Sequence, residues 1–138
     1  MSDFLGSYDP KEVNLFHGVL QISGFADGTF ITVAKTDKDL WKNFVGAHGE
    51  VTRTKNNNKS GMITFTLQST SPSNAALDLL KHNPVAVPTL VKNNSGGKHI
   101  AAGIDTWIQS DPDKSYGAEQ QNVEWTIYCA ELNMSHLI

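Results

Sequence analysis

The side chains best suited to nucleophilic or metal chemistry in this sequence of 138 residues are one cysteine and five histidines, and their spacing supports neither chemistry. His17, His48, His82, His99 and His136 form no His-x-x-x-His or His-Glu-x-x-His pair, the spacings that set two imidazoles on one helical face toward zinc. Histidines placed so far apart are expected to be solvated or satisfied surface groups. Cys129 stands alone, which excludes an intrachain disulfide and a cysteine-based zinc cluster. It falls on the apolar side of an alternating segment, so a buried small hydrophobe is expected there, not a nucleophile. Asp111-Pro-Asp113-Lys-Ser115-Tyr-Gly117 opens like a calcium loop, with oxygens at positions 1, 3 and 5. Its glycine comes one residue late, and position 12 is Asn122 where a bidentate Glu is required; a plain turn accounts for the same residues. No Gly-x-Ser-x-Gly elbow, phosphate-binding Gly-x-x-x-x-Gly-Lys or Gly-x-Gly-x-x-Gly occurs. The expectation is a protein that is not an enzyme and that holds no cofactor and no metal.

Composition narrows the class further. Charged residues are 18% of the chain, below the usual share of about 25%, so neutral polar groups must cover much of the surface. The formal net charge of −3 disfavours a protein that grips DNA by neutralising phosphates. The N-terminal residues show no basic segment followed by an apolar one, and no apolar run approaches the roughly 20 residues of a membrane span. These features predict one soluble domain over 1–138, assembled in the cytoplasm.

Seven or eight strands and one helix can be placed. Val13 to Ser23 and Thr29 to Lys35 are rich in β-branched and aromatic residues, with the turn signal Asp27-Gly28 between them. Thr36 to Gly49 reads as strand and loop. Glu50 to Lys55 and Met62 to Ser69 read as paired strands flanking the polar run Asn56 to Gly61. In the second of these, Ile63, Phe65 and Leu67 alternate with Thr64, Thr66 and Gln68, so one face is buried. Ser71 is the expected N-cap of a helix over about 72–83: Pro72 occupies the first helical position, Leu77 and Leu80 with Ala76 form an apolar stripe, and Asn83-Pro84 stops it. Ala86 to Asn93, His99 to Gln109 and Asn122 to Leu132 complete the strands, the first two joined through Asn94-Ser95-Gly96-Gly97. The architecture expected is mainly β (α+β): an antiparallel β-sandwich or barrel with one flanking helix and no internal repeat.

The segment Gly46-Ala-His-Gly49-Glu50-Val51-Thr52-Arg53, the Asn-rich turn, and Gly61-Met-Ile-Thr-Phe-Thr-Leu-Gln-Ser-Thr-Ser71-Pro72-Ser73-Asn74 carry a further likeness. Together they resemble the small tail tube (inner tube) proteins of bacteriophages with long tails, of the contractile type. Tyr8-Asp-Pro-Lys-Glu-Val and the Gly24 to Gly28 turn fit the same pattern, and the likeness is clearest over 46–80 and weakest at the C-terminus. The resemblance implies a subunit that closes into hexameric rings. Stacked rings would form the conduit for DNA ejection, and DNA would pass without specific binding. It implies residence in the virion tail and, as partners, further copies of the chain, the tail sheath, the baseplate hub, the tape measure and the tail terminator. In that setting 36–61 would be an extended loop or hairpin touching the neighbouring ring, and 1–12 an N-terminal arm reaching an adjacent subunit.

The interface candidates are therefore Phe4, Leu5 and Tyr8 in the arm and Trp41, Phe44 and Arg53 in the loop. A competing reading is a carbohydrate- or peptide-binding β-sandwich module of a tail or baseplate, for which Trp41 and Trp107 would have to be exposed in one groove. The tube reading also carries an expectation about charge. Acids should outnumber bases on the inner wall, and Lys35, Lys92 and Lys98 should not line it, because a basic wall would hold a duplex that must slide.

Overall fold

A computed structural model of the chain describes residues 6–95 and 98–136. Nine strands and one α-helix follow a short 3-10 turn at Pro10–Glu12. The strands are β1 (Val13–His17), β2 (Leu20–Ile22), β3 (Ile31–Lys35), β4 (Trp41–Val45), β5 (Val51–Lys55), β6 (Gly61–Gln68), β7 (Val87–Asn93), β8 (His99–Ile108) and β9 (Asn122–His136); α1 (Ser73–Leu80) lies between β6 and β7. Seven strands form one antiparallel sheet in the order β2-β1-β7-β8-β9-β6-β3, and β4 and β5 form a separate two-stranded sheet. The fold is mainly β with one flanking helix. The large sheet does not close: β2 pairs only with β1 and β3 only with β6.

Strict alternation builds the core. Ile63, Phe65 and Leu67 of β6 and Val123, Trp125, Ile127 and Cys129 of β9 point to one side and are buried. Ile22 from one end of the sheet and Ile31 and Val33 from the other pack on the same cluster, so the sheet curls around a single core that Leu77 of α1 enters. The alternation changes phase once, on two neighbouring strands together. In β8, Ala101 and Gly103 are buried and then Thr106 and Ile108; in β9, Cys129 is followed by Leu132. The register on both sides of the break is unchanged, with Gly103 opposite Leu132 and Thr106 opposite Cys129. Asp105 stands at the break with φ 54, the left-handed region that Asp tolerates better than most residues. Each strand thus carries two adjacent residues off the core face, and the paired irregularity bends the sheet without sliding it.

The helix is tied to the sheet by polar contacts its sequence provides. Pro72 flanks α1 in helical φ/ψ, Ser71 Oγ accepts the Ser73 N–H at 3.2 Å, and the Ser71 hydroxyl donates to the Ser23 carbonyl at 2.6 Å. Trp125 Nε1–H donates to Asn74 Oδ1 at 2.9 Å, and Asn74 Nδ2 donates to the Gln68 carbonyl at 2.9 Å, so the largest core side chain is locked to the first turn of α1.

Three pairings differ from the sequence reading. The 13–23 segment is itself a hairpin, turning at Gly18-Val19, and β3 pairs with β6 instead of continuing from Asp27-Gly28. The Glu50–Lys55 region pairs backward with β4, not forward across the Asn-rich run with β6. The partner of β6 is β9, and β9 extends to His136. Of the expected β7–β8 connection, Gly96 and Gly97 lie outside the described residues.

Candidate functional site

The β4–β5 hairpin is the feature that the fold itself leaves unexplained. Every residue of both strands is exposed, and the hairpin forms no ladder with the main sheet. Its pairs are Trp41 with Lys55, Asn43 with Arg53, Phe44 with Thr52 and Val45 with Val51, closed by a loop in which Gly46 N–H donates to the Glu50 carbonyl at 2.7 Å. Phe44 is 68% exposed on one face of this ribbon, and Trp41, Val45 and Val51 occupy the other. The Arg53 guanidinium lies 4.1 Å above the Trp41 ring.

The stem is well held. Asn56 N–H donates to the Leu40 carbonyl at 3.0 Å, Asn56 Nδ2 to the Asp39 carbonyl at 2.7 Å, and Leu132 N–H to the Lys59 carbonyl at 2.8 Å. Asn58 Oδ1 accepts from both the N–H and the hydroxyl of Ser60. Asp37, bonded to Asn56 and to the Asp39 N–H and facing Lys42 at 3.5 Å, has its carboxyl held below the ordinary value. The stem of the hairpin is therefore anchored to β9 at Leu132.

Beside Tyr8, Pro10 and Lys11, a groove of about 960 Å³ opens between the edge strands β2 and β3. Tyr8, 62% exposed, lines it with Ile22, Phe25, Phe30 and Ile31. Phe4 and Leu5 lie outside the described residues. On the sheet face turned away from the core, Thr32, Thr64 and Thr126 form one uncharged cross-strand row, and Trp107, Tyr128, Met62 and Ala34 form the next. Trp107 and Tyr128 have ring centroids 5.2 Å apart.

The tryptophans divide. Trp125 is 1% exposed, while Trp41 and Trp107 are each 42% exposed. These two share no groove, since Trp41 lies at the hairpin stem beside Leu40 and Asn56, and Trp107 lies on the open sheet face against Tyr128.

The side chains with chemical potential are engaged structurally. Cys129 is buried, and desolvation pushes its thiol up to about 11. Asp111 of the loop resembling a calcium site accepts from Lys81 at 2.8 Å, and Lys81 also holds Asp78 at 2.8 Å; these bonds raise the ammonium's pKa and lower that of Asp78. No cluster of three or more metal-ligating side chains exists among the described residues.

His17 departs from the expectation of a solvated histidine. It is buried, and its Nδ1 lies 2.8 Å from Thr89 Oγ1, which lies 2.6 Å from Thr106 Oγ1; the Thr106 hydroxyl donates to the Val87 carbonyl at 2.5 Å. The carbonyl can only accept, so each hydroxyl proton has one direction available and the chain requires a proton on His17 Nδ1. Burial lowers the pKa of His17, and burial with the neighbouring His136 lowers that of His99.

A curled antiparallel sheet, a flanking helix and a projecting hairpin with exposed apolar groups define a structural building block. A match over residues 19–136 shows that the chain belongs to the bacteriophage PhiTE tail tube protein family. The chain is thus a structural, non-enzymatic tail tube protein of the virion tail. The matched span contains 46–80, runs through β9 and begins after Tyr8 to Val13. No curated protein matches the sequence.

Solved structures share the fold. They include the anti-feeding prophage tube-terminating cap (TM-score 0.62, 8% identity, 99% of this chain and 96% of that one). The sheath–tube complex of an extracellular contractile injection system, PVC, in the extended state matches at TM-score 0.59 and 10% identity, over 95% and 93% of the two chains. A native gene transfer agent virion matches at TM-score 0.54 and 16% identity, over 96% and 100%.

Proposed function

We propose that six copies of this chain close into a ring and that rings stack through the β4–β5 hairpin into the tube through which DNA leaves the capsid. The observation that carries this reading is the hairpin. A two-stranded ribbon alone in water is marginal, and one that exposes Trp41, Phe44, Val45 and Val51 gains its stability from a partner surface. The unpaired edges β2 and β3 support ring closure, since pairing edges between copies removes an aggregation hazard. The 1–12 arm, through Phe4, Leu5 and Tyr8, reaches an adjacent subunit.

The face bearing the Thr32, Thr64 and Thr126 row forms the tube's inner wall. Across the strands of that face the charged residues are Lys92, Asp105, Glu124 and Glu131, and Lys35 falls on the opposite side with Gly61. On this reading the wall holds more acid than base although Lys92 lies on it, and a wall of that sign lets a duplex slide where a basic one would hold it. Sheath, hub, tape measure and terminator contacts follow from the same reading, supported by the likeness to a sheath–tube complex and to a tube cap, and the tail is of the contractile type, assembled in the host cytoplasm. The glycan- or peptide-binding alternative has no support from Trp41 and Trp107, which do not converge.

Negative-stain electron microscopy of the purified chain at high concentration tests the proposal. Six-fold rings or stacked tubes are expected; a chain that stays monomeric at every concentration and is missing from purified tails would refute it.

A further inference from the structure

His99 and His136, distant in sequence, meet in the fold. His99 opens β8, His136 closes β9, and the register sets them directly opposite each other. Their ring centroids are 4.8 Å apart, with the planes at 65°. Residues directly opposed on antiparallel strands hold their Cβ atoms about 4.5–5.5 Å apart. Two imidazoles on that base can each turn one nitrogen to a shared ion, within the ligand distances of about 2.0–2.1 Å that zinc takes.

The surroundings favour such a chelate. His136 is exposed and His99 half-buried, so water completes the coordination shell. Among the described residues no hydrogen bond or ion pair engages either ring, so the nitrogen lone pairs are not committed elsewhere. Met134, opposite Ala101 and on the same side of β9 as His136, adds a thioether to that face. The other three histidines lack a second imidazole: His17 is buried in its hydroxyl chain, His48 lies in the β4–β5 turn, and His82 follows α1.

We propose that His99 and His136 form a two-imidazole site for a divalent transition ion. Copper(II) binds ahead of nickel(II) and zinc(II), as nitrogen donors rank these ions. The site needs one copy of the chain and does not depend on ring formation.

The test is titration of the full chain with Cu²⁺, followed by electron paramagnetic resonance, and with Zn²⁺, followed by imidazole NMR. Copper is expected to saturate at one ion per chain with two nitrogens in its hyperfine pattern. The affinity should fall at least about tenfold in His99→Gln and in His136→Gln and stay unchanged in His82→Gln. In the unmutated chain, Zn²⁺ should shift the ring signals of His99 and His136 and leave those of His48 and His82 in place. A single-nitrogen copper signal, equal affinity in either variant and the unmutated chain, or zinc shifts confined to His48 and His82 overturns the proposal. The zinc arm needs no substitution, so a variant that folds poorly cannot hide the answer.

Discussion

Arg53 covers Trp41 on the exposed hairpin, with its guanidinium 4.1 Å from the ring, and the two are diagonal neighbours because Arg53 pairs with Asn43 and Trp41 with Lys55. A cation over an exposed indole contributes about 0.5–1 kcal/mol. That is enough to bias the side chains toward one arrangement before a partner arrives, which reduces what ordering costs at contact. Arg53→Lys keeps the charge and loses the planar stacking, so assembly should weaken while folding is unaffected. Sedimentation velocity and a melting curve on the same sample check both halves.

Phe44 and Trp41 contribute nothing to the core, so removing them separates assembly from stability. Phe44→Ala and the double change with Trp41→Ala should abolish rings and tubes in electron micrographs and leave the melting temperature within a few degrees, as about 0.5 kcal/mol implies for a surface change. Loss of the folded monomer in either variant would mean that the hairpin belongs to the core after all.

His17 makes stability depend on pH in a known direction. Its folded pKa lies below the ordinary 6.5, so between the two values the unfolded chain binds the extra proton and the folded chain does not. The stability it contributes is present above pH 6.5 and is lost as pH falls toward the folded value. Asp37 and Asp78 have lowered carboxyl pKa values and act in the same direction, but below 3.8, in a separate window. Thermal melts from pH 8 to pH 5 should show a falling melting temperature whose slope is reduced in His17→Gln. An unchanged slope in that variant would exclude His17 as the source.

Much of the strand layout was legible because burial writes itself as alternation: β6 and the first half of β9 read directly from Ile63, Phe65, Leu67 and Val123, Trp125, Ile127, Cys129. Pairing was less legible, since a strand's sequence does not name its neighbour. The β1–β2 turn at Gly18-Val19 lacks the Asn-Gly or Asp-Gly signature, and its φ of 62 at Gly18 shows only in the backbone, so Asp27-Gly28 is the stronger hairpin signal in the sequence. The site divided along the same line. Trp41, Phe44 and Arg53 come forward through the tail-tube resemblance, which makes 36–61 an extended loop or hairpin. The His17 relay and the His99–His136 pair depend on β1, β7, β8 and β9 lying side by side, and no local spacing encodes that.

Gly103 and Cys129 fill one space. A Cβ added at Gly103 would lie 2.6 Å from Cys129 Sγ and 2.8 Å from Thr106 Cγ2, too close for either neighbour to remain in place. Gly103→Ala should destabilise by about 1–3 kcal/mol, the usual cost of overpacking a filled core. Cys129→Ala removes the sulfur and should recover part of that loss, so the double variant is more stable than the sum of the single changes. Urea unfolding of the four proteins measures the coupling, and strict additivity would show that the contact does not limit packing.

The hairpin's charge sets a salt dependence for stacking. Its two strands contain Lys42, Arg53 and Lys55 and no acid, whereas the whole chain has a formal net charge of −3. A basic ribbon meeting an acidic copy of the same chain gains attraction that screening removes, because the Debye length falls from about 10 Å to about 3 Å between 0.1 and 1 M salt. The apolar part, from Phe44, Val45 and Val51, is not screened and is strengthened by sulfate. Association should therefore weaken as sodium chloride rises and recover in sodium sulfate of equal ionic strength, and Lys42→Glu with Lys55→Glu should weaken it most at low salt. Light scattering across the two salt series reads this directly. Association that is indifferent to chloride and to both charge reversals would place the stacking contact away from the basic strands.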